Sequence, residues 1–304
     1  MRIVFMGSPE FAVPSLEQIQ LSDHQIIAII TGEDKRRGRG NELSPTPVKA
    51  SALNYGLPVH SFEKMKDPEL HKLLTELNPD LIVIVAFKIL PKSILEIPKI
   101  GSVNIHASLL PKYRGAAPIH WAVVNGEKET GVSIFYLNEE IDAGNLILQD
   151  KVKIEEDETT GDVYAKLMEL GSKSIIKALD LIDLRTTKAL EQNHELACPA
   201  PKVFPTDAHI DFNVTAQSVH NRIRGMNPAP GSWILLDGKK LKLKESCVSE
   251  TSSPGVGQIF TENGELLIGC VDKCIQIKRV QLEGKAETDG FSFKNGYRGN
   301  ALIS

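Results

Sequence analysis

Asn104, His106 and Asp142 are the residues whose types and spacing could do chemistry in this chain. Asn104 and His106 lie two apart in GSVNIHASLLPKYRGAAP (101–118) and alternate with Val103 and Ile105. That pattern predicts a strand with both polar side chains on one face. An Asn amide is a neutral donor able to stabilise a developing oxyanion. An imidazole moves protons near neutral pH, and a carboxylate can orient it. Downstream, EEIDAGNLI supplies that carboxylate in Asp142. No Ser or Cys occupies an obvious nucleophile elbow, so direct transfer through a tetrahedral intermediate fits better than a covalent enzyme. Spacing alone leaves a second possibility open, in which His106 merely ends a strand and Asp142 sits in a turn.

The elements that must position these residues follow an α/β order. RIVFM (2–6) and HQIIAIIT (24–31) predict buried strands on either side of a helix at 9–20. The first connecting loop, GSPEF, holds one Gly and not G-x-G-x-x-G, which argues against a nicotinamide oxidoreductase. A helix (48–55), a short strand (58–62) and a helix (67–77) lead to LIVIVAF (81–87). Its near-continuous apolar character is that of a parallel strand covered on both faces. Phe87 ends this strand on the same edge as His106, the edge where open α/β sheets bind ligands. Beyond the strand at 101–109 come a helix (116–125), strands (131–137 and 146–154) and an amphipathic helix (159–184). The expected fold class is α/β. A Rossmann-like, mostly parallel sheet spans 1–185, and a linker at 186–206 carries Pro199, Pro201 and Pro205. A small OB-like β-barrel domain then spans 207–304, with a helix at 214–224 and short strands between Gly turns.

Two groups of cations invite a phosphate-binding reading. Residues 32–47 form a long charged loop with Lys35, Arg36, Arg37 and Arg39, made mobile by Gly32, Gly38 and Gly40. A solvated basic loop is the plainer alternative. Lys240, Lys242 and Lys244 alternate with Leu241 and Leu243, so the three ammonium groups share one face. That face is either a phosphate-binding stripe or an edge strand guarded by lysines.

Composition sets outer bounds. With 304 residues, 41% hydrophobic and 24% charged, the chain has the make-up of a soluble globular protein with two domains. A net charge of −4 supplies no global field for nucleic acid. From Pro205 onward 12 Lys and Arg face 11 Asp and Glu, so the tail is weakly more basic than the rest. MRIVFMGSPE reads as a strand and not a signal peptide. No apolar run approaches the ~20 residues that span a bilayer. Cys198, Cys247, Cys270 and Cys274 form no CxxC and no complete metal clip, so reduced thiols and no metal are expected.

The run NIHASLLPKYRGAAPIHWAV, followed by GVSIFYLNEEIDAGNLI, resembles the signature of folate-dependent formyltransferases, and MGSPEFAVPSL resembles their first loop. The resemblance implies formyl transfer from 10-formyltetrahydrofolate to an amine, with Asn104, His106 and Asp142 as the catalytic triad. It places Ser108, Leu109, Leu110 and Pro111 on the family's folate segment, with Phe87 in the neighbourhood that holds the pteridine. In the tail, APKVFPTDAHIDFN, IRGMNPAPGSW and VQLEGKAETDGFSFKNGY resemble the C-terminal domain of members that formylate methionine on initiator tRNA. This implies initiator methionyl-tRNA as the partner; a cytoplasmic location, in keeping with reduced cysteines, and a monomer are expected. In that family the insertion in the first half of the sheet reaches over the acceptor end of the tRNA, where Arg39 falls. Asn41 and Glu42 stand where further lysines are usual. A sibling acting on a small amine, such as an amino sugar or glycinamide ribonucleotide, should lack this tail. A non-catalytic RNA-binding protein would have no reason to keep the triad in register.

Overall fold

Strands whose side chains are apolar on both faces must sit inside a covered sheet. The computed structural model describes residues 1–37, 42–297 and 299, and it meets that requirement in the first of two compact units. Unit one comprises residues 1–115, 130–152 and 164–199. It opens with β1 (Arg2–Gly7), α1 (Val13–Gln20), β2 (Gln25–Thr31), β3 (Lys35–Arg37) and β4 (Glu42–Ser44). It continues through α2 (Pro47–Asn54), β5 (Val59–Ser61), α3 (Pro68–Leu77), β6 (Leu81–Val85), α4 (Lys92–Leu95) and β7 (Gly101–His106). After α5 (Pro118–Val124) come β8 (Glu129–Tyr136), β9 (Leu146–Lys153) and α6 (Thr160–Asp183).

The main sheet has seven strands in the order β5-β2-β1-β6-β7-β8-β9. The pairs from β5 to β7 are parallel, and β7 pairs antiparallel with β8. Strand order reverses between β1 and β6, which makes their carboxyl ends the crevice of a doubly wound sheet. Gly7 ends β1 there, because a Cβ would meet Ala12 Cβ at 2.9 Å and the Val85 carbonyl at 3.1 Å. β6 is buried at every position, and Ile82 and Ile84 pack with Leu70 and Leu74 of α3. That helix has its signals in sequence: Asp67 caps it by accepting from the Glu69 N–H, Pro68 occupies its first turn, and Asn78 ends it in left-handed conformation.

The loop expected at 32–47 is partly regular. β3 and β4 pair antiparallel, with Arg36 opposite Leu43, and Asp34 is tied to Lys49 of α2 at 2.8 Å. Charge and glycine dominate this stretch of sequence, yet backbone pairing between two three-residue segments prevails. Arg39, Gly38, Gly40 and Asn41 lie outside the described residues, and of Arg37 only the backbone is described.

Unit two comprises residues 116–129, 153–163 and 200–304. It contains α5, α7 (Ala216–Gly225), β10 (Trp233–Leu236), β11 (Lys239–Ser252), β12 (Ile259–Glu262) and β13 (Glu265–Gly269). It ends with β14 (Lys273–Leu282), β15 (Thr288–Asp289) and α8 (Gly290–Gly296). The sheet runs β10-β11-β14-β13-β12 with β15 beside β14, and the described pairs are antiparallel. Ile223 and Val219 of α7 close its core against Leu241, Leu243, Ile275 and Ile277. The fold class is the one expected, a mostly parallel α/β unit followed by a small β unit.

β11 corrects one sequence alternative. It carries Lys240, Lys242 and Lys244, pairs with β10 on one side and β14 on the other, and so is not an edge strand there. The lysines are half-buried and not fully solvated.

Candidate active site

β7 carries Asn104 and His106 to the crevice on one face, as period-two alternation requires. Asn104 is half-buried, lines a cavity with Phe87, Ile84, Leu90, Leu137 and Asp142, and its amide has no hydrogen-bond partner among the described residues. Besides these the hollow is lined by apolar Leu95 and, toward its rim, by Lys88, Asn138, Glu139 and Glu140, so an apolar floor meets a polar mouth.

His106 is 6% exposed. Its Nε2 lies 2.8 Å from the Tyr113 carbonyl, which only accepts, so Nε2 is the donor there. Its Nδ1 lies 3.6 Å from Oδ2 of Asp142, within ion-pair range but beyond a hydrogen bond. The same Oδ2 accepts the Gly115 N–H at 2.9 Å. The carboxylate is therefore held between the turn after β7 and the imidazole. Asp142 itself has a left-handed backbone, φ 51°, in the loop joining β8 to β9.

The SLLP segment is placed differently from the triad. Ser108 is fully buried and its hydroxyl donates to the Lys112 carbonyl at 2.7 Å. Ser133 of β8 bridges the turn, donating to the Ser108 carbonyl and accepting from the Leu110 N–H. Gln149 of β9 donates to the Leu110 carbonyl. Leu109 lies against Gly131, and the Leu110–Pro111 peptide is cis. These residues build the turn beneath the site, while Phe87 lines the cavity and they do not.

The cations are dispersed. Arg36 is exposed on β3. Lys240 lies over the Trp233 ring at 4.3 Å, and Lys240 and Lys242 share a hollow with Gln281 and Glu283. Lys244 lines a different cavity with Arg224, Arg279, Asp157 and Glu287. Register shifts between Leu243 and Ser246 accompany that division. Among the described residues no group of three or more His, Cys, Asp or Glu could hold a metal, and no helix is long and apolar enough to cross a membrane.

Sequence reasoning did not single out Gln192, which bonds to the Asp142 loop, or its partner Arg114. Gln192 falls in the Pro-rich stretch read as linker, where no periodicity marks it, yet it is 3% exposed. Arg114 stood out only as part of a basic turn, but its guanidinium donates to Gln192 Oε1 at 2.6 and 3.2 Å.

A reversing, mostly parallel sheet with a His–carboxylate pair at its carboxyl ends stands in a chain that also holds a small antiparallel unit. Residues 1–179 match the family described as formyl transferase, residues 202–298 match the formyl transferase C-terminal domain, and the chain belongs to that family. Among curated relatives, the methionyl-tRNA formyltransferase of Geobacter metallireducens is 40% identical over 298 residues, covering 97% of this chain and 96% of that protein. The protein of that name from Moorella thermoacetica is 42% identical over 300 residues, covering 98% and 96%. Among solved structures, WlaRD, a sugar 3N-formyl transferase studied in the presence of dTDP and 5-N-formyl-THF, superposes with a TM-score of 0.71 at 22% identity. That alignment covers 94% of this chain and 99% of that one.

Proposed function

We propose that this chain transfers the formyl group of 10-formyltetrahydrofolate to the α-amino group of methionine on initiator methionyl-tRNA, as a cytoplasmic monomer. The observation that carries the reading is the placing of Asn104 and Asp142 on one cavity wall with His106 beside the carboxylate. Relatives of that name, at 40–42% identity along nearly the whole chain, select the acceptor. In this reading residues 1–185 are the catalytic domain, 186–206 connect, and 207–304 bind tRNA. Family matches ending at 179 and resuming at 202 support that division.

The folate supplies the formyl carbon and leaves as tetrahydrofolate. Asn104 donates its amide N–H to the formyl oxygen as the neutral amine adds and charge develops there. His106 and Asp142 take the proton that the amine must lose and return one to the departing nitrogen, so the transfer is neutral overall. The 3.6 Å gap between Nδ1 and Oδ2 is of the kind that tightens when substrate excludes water. Phe87 lies along the pteridine, and Ser108, Leu109, Leu110 and Pro111 shape the turn beside it. Arg36, Arg37, Arg39, Lys240, Lys242 and Lys244 contact tRNA phosphates.

The test is formyl transfer from 10-formyltetrahydrofolate to charged initiator tRNA, with uncharged tRNA and a small amino sugar as controls. Transfer to the charged tRNA alone supports the reading, and transfer to the sugar alone defeats it. Because the amine must be neutral, kcat/KM for charged tRNA rises from pH 6 to about 8. A flat profile with chemistry rate-limiting would count against this role for the ionisations.

A further inference from the structure

Asp142 holds a left-handed backbone, a region that non-glycine residues keep only where their surroundings over-determine it. The surroundings include residues 190–199, which run as a strap over the site within unit one. Leu190 and Leu146 exchange backbone hydrogen bonds at 2.7 and 2.8 Å. Two residues on, the Gln192 amide donates to the Asp142 carbonyl at 2.9 Å and to the Gly144 carbonyl at 2.8 Å. Its Oε1 accepts both contacts from Arg114. The orientation of this amide is not arbitrary, since Arg114 offers only donors and the two carbonyls only acceptors. The strap also reaches the other side of the imidazole. Cys198 accepts the Arg114 N–H at its carbonyl and the Tyr113 N–H at its Sγ, and Tyr113 carries the carbonyl that faces His106 Nε2.

We infer that Gln192 is a positioning residue, whose two amide donors hold Asp142 in the conformation that aims its carboxylate at His106. The inference rests on the assignment of His106 and Asp142 above. Gln192 reaches no reacting atom; it acts through the Asp142–Ala143 and Gly144–Asn145 peptide units. Gln192 is 3% exposed, so removing its donors takes from the two carbonyls their side-chain partner and leaves the loop free to leave the left-handed region. A displacement of about 1 Å at a catalytic group costs up to ~10²-fold in rate.

The experiment compares Gln192→Met, Gln192→Ala and Gln192→Glu in the full chain, each alone and with Asp142→Asn. Glu keeps an acceptor for Arg114 but presents oxygens to the two carbonyls, which separates the donors from mere space-filling. We expect all three to lower kcat by roughly 10- to 100-fold with KM for charged tRNA unchanged. In the Asp142→Asn background the same substitutions should cost less than about twofold, because the residues act as a unit. Met preserves volume and carries the test should Ala fail to fold. The inference is overturned if Glu turns over like the wild type, or if the losses multiply fully in the Asp142→Asn background, as a general structural defect would. Wild-type kcat in folded Gln192→Met, with Asp142→Asn impaired, defeats the inference and leaves the catalytic assignment standing. Wild-type kcat in Asp142→Asn removes both.

Discussion

The loop that carries Asp142 and the strand that carries the lysines serve one proposed reaction under opposite demands. Around Asp142 the backbone and carboxylate are held from several directions, by Gly115, by Gln192 and by the imidazole. Along β11 the cations spread into two hollows, and one rests over an indole ring. Proton transfer is directional and fails beyond hydrogen-bond reach, so its residues converge. Attraction between ammonium and phosphate is long-ranged and tolerates dispersal. Convergence leaves a motif in sequence; dispersal leaves only composition.

The contrast is most easily broken at the converged end. Asn104→Ala should lower kcat by about 10²–10³-fold, since it removes a donor to a developing oxyanion. His106→Ala and Asp142→Asn should act on kcat as well, and the combined variant should lose less than the product of the singles. Near-normal turnover in folded variants would dissolve the distinction.

Arg39→Ala should come next, with a loss of tRNA-dependent turnover beyond ~10-fold, more than one surface charge explains. Initiator tRNA should then slow tryptic cleavage after Arg36, Arg37 and Arg39, read on a gel time course. If cleavage is indifferent to tRNA and Arg39→Ala is wild-type, this segment has no part in binding.

A smaller effect is expected from the lysines. Lys240→Glu with Lys242→Glu should raise KM for charged tRNA and leave folate KM alone, and removal of one phosphate-bound ammonium should lower the salt slope by about 1. Lys244→Glu, in its separate hollow, should act independently. A joint effect exceeding the product of the two would show one stripe where the geometry shows two.

The smallest effect concerns stability. Burial pushes the His220 imidazole below its usual pKa, with the Glu156 carbonyl opposing. Around it stand Ser246 at 3.1 Å, Asp157 at 3.7 Å and Arg224. A depressed folded pKa means the unfolded chain binds the proton first. Stability is thus complete above about pH 6.5 and declines as pH falls below it. His220→Gln should flatten that decline, read as a smaller fall in Tm between pH 7 and 5.5 than the wild type shows. An equally steep fall in the variant would place the proton elsewhere.

Much of unit one was legible because burial on both faces writes itself as apolar runs, and β1, β2, β6 and α6 lie within a few residues of expectation. The pair on β7 was legible for a related reason, since alternation fixes a face. What stayed hidden depends on partners distant in sequence. Gln192 meets Asp142 across 50 positions, and nothing local distinguishes it from its neighbours in a Pro-rich stretch. The pairing of β3 with β4 was masked by charge and glycine, which describe solvent exposure better than backbone pairing. For Lys240, Lys242 and Lys244 the alternation was visible, but the second neighbour of β11 was not.

The Asp142 loop is cinched at its base: the Tyr136 N–H bonds to the Asn145 carbonyl at 3.0 Å, and a Cβ on Gly144 would fall 1.7 Å from the Tyr136 oxygen. Outside that collar Asn138, Glu139, Glu140 and Ile141 stand exposed on the cavity rim. The rim can therefore be rewritten in sequence while the collar keeps the carboxylate where it is. Variation there becomes a route to new acceptors or altered folates without rebuilding the chemistry, and an insertion at 139–141 should be far better tolerated than any side chain at Gly144.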